Sequence, residues 1–282
     1  MKKAITLRAF PAAMPTLDRC ALARKTGFHG VELNLEPGLD VSPGSSDAEL
    51  LALGHAVREM ELEIASIYSR EQWAYAITTA DAERRQRGMD IIKRLIEVAA
   101  LLGIGAVLVI PGAVDDSLFG KEPELVRYDV AYERAQAALA ELLPFAADAG
   151  TMLAIENVPN KFLLSPLEMA RFVDELAHPN IGVYLDVANT MMVGYPEQWI
   201  EILGERIVRV HVKGYRPEIG GMAGCTGMLQ GAINWPAVAA ALRTIAYDGY
   251  ITSEVLPAYR YHPERLAYEA SQAISAIFGI AD

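Results

Sequence analysis

Cysteine is scarce in this sequence: only Cys20 and Cys225 occur in 282 residues. The two are far apart and lack a close partner spacing, which excludes a disulfide framework and is typical of a reducing cytosol. An apolar run of the ~18 residues that a membrane span needs is also lacking. The first ten residues contain no sustained apolar segment of the signal-peptide kind. We therefore expect a cytoplasmic protein that does not bind membranes.

Positive charge is in deficit, with 25 Lys and Arg against 36 Asp and Glu and a net charge of −11. Binding to a nucleic-acid backbone requires clustered basic residues, so we expect no nucleic-acid partner. A Gly-x-Gly-x-x-Gly motif after the first strand is absent too, which removes the main support for a doubly wound open sheet. Hydrophobic residues make up 52% of the chain, enough for the core of one large α/β domain.

Apolar strand-like runs alternate with amphipathic segments of helical period along the whole chain. Continuous apolar strands between such helices indicate a parallel sheet covered on its outer face. The predicted strands are 4–10, 30–35, 63–69, 105–110, 151–156, 181–186, 207–212 and 250–255. Helices are predicted to begin after Pro15 and at 47–60, 81–102, 128–149, 166–176, 196–203, 236–246 and 263–278. Eight such pairs predict an α/β fold, a single (β/α)8 barrel in which residues 1–282 form one domain.

Four of these strands end on side chains that can bind metal. The segment around His211 alternates apolar residues with Arg209 and His211, and three other runs end at Glu156, Asp186 and Glu254. Unpaired buried charges are costly, and a closed barrel brings strand ends together, so the four side chains predict a metal site. Three carboxylates and one imidazole suit Mn²⁺ or Mg²⁺, with Zn²⁺, Co²⁺ or Ni²⁺ able to substitute.

The strand ends also carry motifs of a known family. The chain is similar to the sugar-phosphate isomerase/epimerase superfamily, the xylose isomerase-like barrels that include ketose 3-epimerases and L-ribulose- or L-xylulose-5-phosphate 3-epimerases. The motifs are Ile155-Glu156-Asn157-Val158, Leu185-Asp186-Val187-Ala188-Asn189, Val210-His211-Val212-Lys213-Gly214-Tyr215-Arg216 and Ser253-Glu254-Val255. The resemblance extends from about residue 5 to residue 270 and is densest after residue 153.

This resemblance implies a metal-dependent isomerase of carbohydrate metabolism, with one divalent ion held by Glu156, Asp186, His211 and Glu254. It further implies that Glu156 and Glu254 form an acid/base pair on opposite faces of the sugar. One carboxylate removes the C3 proton, the metal stabilises the enediolate, and the other carboxylate returns a proton from the far side. The expected partner is a small sugar or sugar phosphate, and the chain is compatible with a homo-oligomer.

Three residues are predicted to bind the substrate. Asn189 lies three residues after Asp186, where many relatives carry His. Arg216 lies five residues after His211, and a simple surface charge at the strand end is the alternative for it. Lys161 is predicted to reach the substrate or its phosphate, with a solvated loop lysine as the alternative. Gly214 departs from relatives that commonly carry Asp at that position.

The neighbouring loops carry two more hypotheses. The glycine-rich loop 217–231 is predicted either to close over the substrate and bind a phosphate or to be a plain mobile loop. Trp73 is predicted either to stack on a sugar face or to pack in the core.

Other functions remain open on the same sequence. A sugar or inosose dehydratase would use the same metal and base to expel a hydroxyl after proton removal. An endonuclease-IV-like DNA repair enzyme would share the barrel but requires more histidines than five and a basic face. A non-catalytic sugar-binding barrel would bind a ligand without turnover. The two candidate proton-transfer carboxylates favour the isomerase, a ketose or ketose-phosphate 3-epimerase.

Overall fold

A computed structural model describes residues 1–117 and 124–281. Eight parallel strands within these residues close into a barrel with the order β1-β8-β7-β6-β5-β4-β3-β2. The expected (β/α)8 architecture is therefore confirmed. The barrel strands, numbered β1 to β8, are Lys2–Thr6, Gly30–Asn34, Glu63–Tyr68, Ala106–Val109, Met152–Glu156, Ile181–Asp186, Ile207–Val212 and Tyr250–Ser253.

Ten helices follow or precede these strands in the described chain. They are α1 to α10 in chain order: Thr16–Lys25, Asp47–Glu59, Glu71–Ala74, Ala82–Leu102, Tyr128–Asp148, Pro166–Glu175, Val187–Thr190, Pro196–Leu203, Trp235–Thr244 and Glu264–Phe278. The eight longer ones match the predicted helices to within about two residues at each end. The short helices α3 and α7 were not predicted, because four residues are too few to display a helical period.

The first strand was predicted in the wrong place. The prediction of 4–10 overlaps β1 only at its C-terminal half, and Leu7–Ala9 form a 3-10 turn instead. The prediction left out Lys2 and Lys3, the first two residues of β1, because the apolar run begins only at Ala4. Lys3 is nevertheless fully buried, and its Nζ donates to Ser271 Oγ at 3.0 Å and Ser275 Oγ at 2.9 Å on α10. A long alkyl stem lets a lysine cross the apolar layer to reach such polar partners.

The helix starts follow the local sequence. Ser46 and Glu49 form a reciprocal capping box at α2, and Ser165 accepts the backbone N–H of Glu168 at α6, with Pro166 in the first helical turn. These contacts satisfy backbone donors that a helix start leaves unpaired, which stabilises each helix by about 1 kcal/mol. The starts of α2 and α6 are thus determined by capping residues that can be recognised in the sequence.

The barrel wall separates two cores of different chemistry. The large apolar core lies between the strands and the surrounding helices and includes Trp199, Phe172 and Leu139, all almost completely buried. Inside the barrel the apolar clusters are small, and buried polar side chains occupy the end to which the strands point. Such barrels carry their functional groups at this C-terminal end, so the site is positioned by the strands themselves.

None of the helices in the described residues is long and apolar enough to span a membrane.

Candidate active site

The four predicted metal ligands lie together at the C-terminal end of the barrel. In the strand pairing Asp186 is opposite His211, and Glu156 is one strand away on β5. Glu254 follows β8 directly, and its backbone N–H donates to Val212 O at 3.0 Å on β7. One ligand atom from each of the four residues lies within 4.8 Å of the others. We call these residues the carboxylate cluster.

His211 is held from both sides of its ring. Its Nδ1 lies 3.0 Å from Glu156 Oε1 in the cluster, and its Nε2 lies 3.1 Å from Glu32 Oε2 on β2. The same Glu32 oxygen accepts hydrogen bonds from Tyr184 Oη and Ser66 Oγ, each at 2.9 Å. A histidine fixed by a carboxylate on one nitrogen presents the other nitrogen in a defined orientation, which is the usual arrangement around metal-binding imidazoles.

Glu32 escaped the sequence prediction, although a signal was present. Residues 30–36 alternate Val31, Leu33 and Leu35 with three polar side chains, so one face of β2 is apolar and the other is polar. The structure buries the polar residues Glu32, Asn34 and Glu36. A period-2 pattern with polar side chains on the inner face would have indicated that β2 faces the site.

Lys213 is a second residue that the sequence prediction missed. Its buried ammonium donates to Asp186 and, at 2.7 Å, to Glu254 Oε2. Lys213 lies two residues after His211, and the alternation of side chains along β7 directs both toward the site. The Lys213 ammonium therefore places a positive charge between two carboxylates of the cluster. A bound divalent ion would share these carboxylates with the ammonium.

The surroundings of the two candidate acid/base residues differ. Burial raises the pKa of Glu156 to about 7, and the carboxylates of Glu254 and Asp186 add to this effect. Burial also acts on Glu254, but Lys213, His211 and Arg8 outweigh it and lower the pKa of Glu254 to about 2. Two carboxyl groups whose pKa values are driven apart in one site are typical of an acid and a base with separate roles.

A cavity of about 320 Å³ opens above the cluster. Its volume is at the lower end of the ~300–1,000 Å³ of small-molecule sites. Glu156, Lys213 and Glu254 lie at its base, and Asn189 borders it on α7. The remaining wall is formed by Arg8, Tyr68, Arg70, Trp73, Val158, Pro159, Met222, Cys225, Thr226, Leu256 and Pro257. Of the two hypotheses for Trp73, the structure supports a position on the cavity wall.

Asn189 is held so that one amide oxygen stays available. Its backbone N–H donates to Asp186 Oδ1 at 2.9 Å, and its Nδ2 donates to Asn157 O at 2.9 Å. Within the described part of the chain, its buried Oδ1 has no hydrogen-bond partner. A buried acceptor without a partner is costly, so a ligand hydroxyl in this cavity would find a fixed acceptor there.

The other two predicted substrate residues lie outside the cavity wall. Arg216 donates through Nε to Gln230 O at 3.3 Å, and neither it nor Lys161 lines the cavity. Lys161 is 70% exposed and pairs with Asp115 Oδ2 at 2.7 Å. Their contacts with substrate therefore stay predictions, and the arginines that line the cavity are Arg8 and Arg70.

The glycine-rich loop after β7 folds back on the strand end. Cys225–Thr226 pair antiparallel with Gly214–Tyr215, and this small hairpin supplies Met222, Cys225 and Thr226 to the cavity wall. A Cβ on Gly214 would lie 2.2 Å from Gly227 O, so no side chain fits there. The departure from Asp at this position therefore has a steric reason in the hairpin. Closure of the 217–231 loop over a substrate stays a prediction.

A family model described as "Xylose isomerase-like TIM barrel" matches residues 20–277. The chain belongs to this family. The match covers all four residues of the carboxylate cluster, and the resemblance inferred from the strand-end motifs is confirmed.

One relative of this xylose isomerase-like barrel is named as a sugar-phosphate epimerase, and another is uncharacterized. The L-ribulose-5-phosphate 3-epimerase UlaE of Escherichia coli (strain SMS-3-5 / SECEC) is 25% identical over 223 residues, 75% of this chain and 73% of that protein. The uncharacterized protein MJ1311 of Methanocaldococcus jannaschii is 27% identical, but the alignment spans only 57% of its length. The epimerase relative confirms the predicted isomerase class.

Solved structures share the fold over nearly the whole chain. A D-psicose 3-epimerase crystallised in the presence of D-fructose superposes with a TM-score of 0.81 at 18% identity, covering 99% of this chain and 100% of the other. The IOLI protein with a bound zinc atom gives a TM-score of 0.82 at 16% identity, covering 99% and 98%. At such identities the likeness establishes the barrel fold alone.

Proposed function

We propose that the protein is a divalent-metal-dependent isomerase that epimerises C3 of a ketose or ketose phosphate. The observation that carries this proposal is the carboxylate cluster, whose ligand atoms lie within 4.8 Å of one another at the base of a sugar-sized cavity. We further propose that residues 1–282 act as one domain, because β1 pairs with both β2 and β8 and closes the barrel.

Glu156, Asp186, His211 and Glu254 would hold the ion. The donor set fits a divalent cation, since it combines three carboxylates with an imidazole whose far nitrogen is already fixed by Glu32. Mn²⁺ and Mg²⁺ are favoured by the oxygen-rich set, and Zn²⁺, Co²⁺ or Ni²⁺ could replace them. When bound, the ion supplies positive charge that stabilises negative charge developing on the sugar oxygens.

The two glutamates would move the proton. One of them, Glu156 or Glu254, would remove the C3 proton, and the other would return a proton to the opposite face. They project from β8 and β5, which are not neighbours in the barrel, so they approach a ligand from different sides. Inversion at C3 requires this arrangement, because the proton leaves one face of the carbon and returns to the other.

The remaining wall would orient the sugar. Asn189 Oδ1 offers a buried acceptor to a hydroxyl, and Trp73 provides aromatic surface against which a sugar can lie. Trp73 Nε1 donates to Tyr68 Oη at 3.1 Å, which fixes the two rings relative to each other. These contacts position the substrate without taking part in proton transfer.

The experiment is incubation of the metal-loaded protein with a panel of ketoses and ketose phosphates in D₂O. Epimerisation predicts deuterium at C3 together with the C3 epimer, whereas an aldose–ketose isomerase would place deuterium at C1 or C2. A dehydratase would instead produce an absorbing enone or diketone. Loss of substrate with that chromophore and without epimer would overturn the proposal in favour of the dehydratase.

A further inference from the structure

The mouth of the barrel has two chemically different sides. The cluster side, formed by β5 to β8, holds the carboxylate cluster and Lys213. The opposite side is formed by the ends of β1 to β3 and carries Arg8, Tyr68, Arg70 and Trp73. We call these four residues the arginine rim. A sugar whose C2 and C3 lie at the cluster must direct its far end toward some other part of this wall.

Arg8 has hydrogen-bonding capacity that the protein leaves unused. Its guanidinium donates no hydrogen bond to any residue that the structure describes, and its closest carboxylate oxygen, Glu254 Oε1, is 3.7 Å away. The group lies over the ring of Tyr68, 5.7 Å from its centroid, and the side chain is only 27% exposed. Five N–H donors in a fixed plane thus border the cavity.

Arg8 lies near Glu254 but donates no hydrogen bond to it. Lys213 already donates to that carboxylate at 2.7 Å, a charge-assisted hydrogen bond, whereas the contact of Arg8 is too long to be one. The stacking on Tyr68 orients the guanidinium but satisfies none of its in-plane donors. The charge and donors of Arg8 are therefore available to a ligand.

Arg70 is oriented from behind by a buried carboxylate. Its Nε and Nη2 each lie 2.8 Å from Glu36 Oε2, and Glu36 itself is buried. The side chain of Arg70 is 59% exposed, and its Nη1 has no acceptor in residues 1–117 or 124–281. A guanidinium held along one edge presents its remaining donors in a defined direction, which suits a planar or tetrahedral anion.

We propose that Arg8 and Arg70 bind an anionic group of the substrate outside its reacting carbons, a phosphate or a carboxylate. The inference deepens the proposed function, because it assumes that C2 and C3 of a sugar lie at the cluster. It assigns the anion to the ends of β1 and β3, not to the loop after β7, where Arg216 was expected to contribute. The substrate class is accordingly an acidic ketose, and neutral ketoses are weaker ligands.

The test compares ribulose 5-phosphate, ribulose and fructuronate by isothermal titration calorimetry on the metal-loaded protein. Arg8→Gln and Arg70→Gln should each weaken ribulose 5-phosphate by about 10- to 100-fold, the loss of one or two charge-assisted hydrogen bonds, and weaken ribulose by a much smaller factor. Arg171→Gln is the matched control, since Arg171 is 75% exposed and pairs with Glu175 on α6. If fructuronate binds and its binding depends on the same arginines, the site accepts a carboxylate. If fructuronate does not bind, the site is specific for a phosphate.

Two results would overturn the inference. One is equal binding of ribulose and both anions by the wild-type protein; the other is phosphate discrimination lost in Arg216→Gln and retained in the rim variants. Arg8→Lys keeps the positive charge and should retain part of the preference for ribulose 5-phosphate over ribulose. Thermal melting of each variant shows whether it is folded. Calorimetry does not require turnover, so anion discrimination without deuterium incorporation at C3 would leave this inference standing and reject the epimerase instead.

Discussion

The cluster side and the arginine rim share one cavity but are built differently. Asp186 and His211 sit in register on neighbouring strands, so the hydrogen-bonded ladder of the barrel fixes their separation. Arg8 lies in a 3-10 turn after β1 and Arg70 lies just beyond β3, outside the ladder. Groups that exchange protons or hold a metal require sub-ångström placement, and strands supply it. Groups that select a substrate tolerate placement on turns, where sequence changes do not disturb the barrel.

The largest expected effect tests whether proton transfer belongs to the cluster side alone. Glu156→Gln and Glu254→Gln should each lower kcat by about 10²- to 10⁴-fold, because an amide cannot accept or deliver the proton. Deuterium incorporation at C3, measured by NMR on metal-loaded protein, is the readout. Glu141→Gln, an exposed substitution on α5, is the control and should retain wild-type kcat. A glutamine variant that turns over at the wild-type rate would remove that residue from the mechanism.

Glu32→Gln tests the support behind the cluster without touching the cavity wall. We expect metal affinity to fall by about 10- to 100-fold, since an amide orients the His211 ring less strongly than a carboxylate does. Calorimetric titration with Mn²⁺ and Zn²⁺ measures the loss directly, with Glu141→Gln again as the control. An unchanged dissociation constant would show that Glu32 fills the barrel interior without positioning the imidazole.

The same two sides differ in how far the sequence predicts them. Glu156, Asp186, His211 and Glu254 were predicted to converge, and they do, because each lies at or near the C-terminal end of a predicted strand and the barrel count was correct. Arg8 could not be predicted, because the first strand was placed too late and the turn at Leu7–Ala9 carries no pattern.

The ion pairs of Lys213 with the cluster carboxylates could not be predicted either. Lys213 was visible in the motif, yet its contact with Asp186 and Glu254 depends on the spacing of three strands, which a sequence pattern does not contain. Glu32 lay within a predicted strand, and only the polar alternation of that strand would have assigned it to the site.

Gly214→Ala tests the hairpin that supplies Met222, Cys225 and Thr226 to the cavity wall. The added Cβ would collide with Gly227 O, so the hairpin must shift, and we expect unfolding free energy to fall by about 1–3 kcal/mol. Gly44→Ala is the matched control, because the closest atom to its added Cβ is Ser42 Oγ at 3.9 Å. Urea unfolding of both variants measures the difference. Equal stability of the two would mean that the hairpin is loosely held.

The smallest expected effect concerns the two cysteines, which report on opposite sides of the barrel wall. Cys20 lies on the buried face of α1, and burial raises the pKa of its thiol to about 12. Cys225 lies on the hairpin at the cavity wall, where burial raises its pKa and the nearby Lys213 opposes the shift. Iodoacetamide reacts with thiolates, so Cys225 should be alkylated first, at a rate that rises with pH, while Cys20 stays unmodified.

Ligand in the cavity should slow this reaction several-fold, because the thiol borders the space that the substrate would occupy. Mass spectrometry of peptides after timed alkylation at pH 8.5, with and without ribulose 5-phosphate, gives the rates, and Cys225→Ser verifies the assignment. Protection by ribulose 5-phosphate that disappears in Arg8→Gln would connect the rim to the hairpin across the cavity. Equal rates with and without ligand would place the sugar phosphate away from this wall and weaken the division of the mouth into a reacting side and a selecting side.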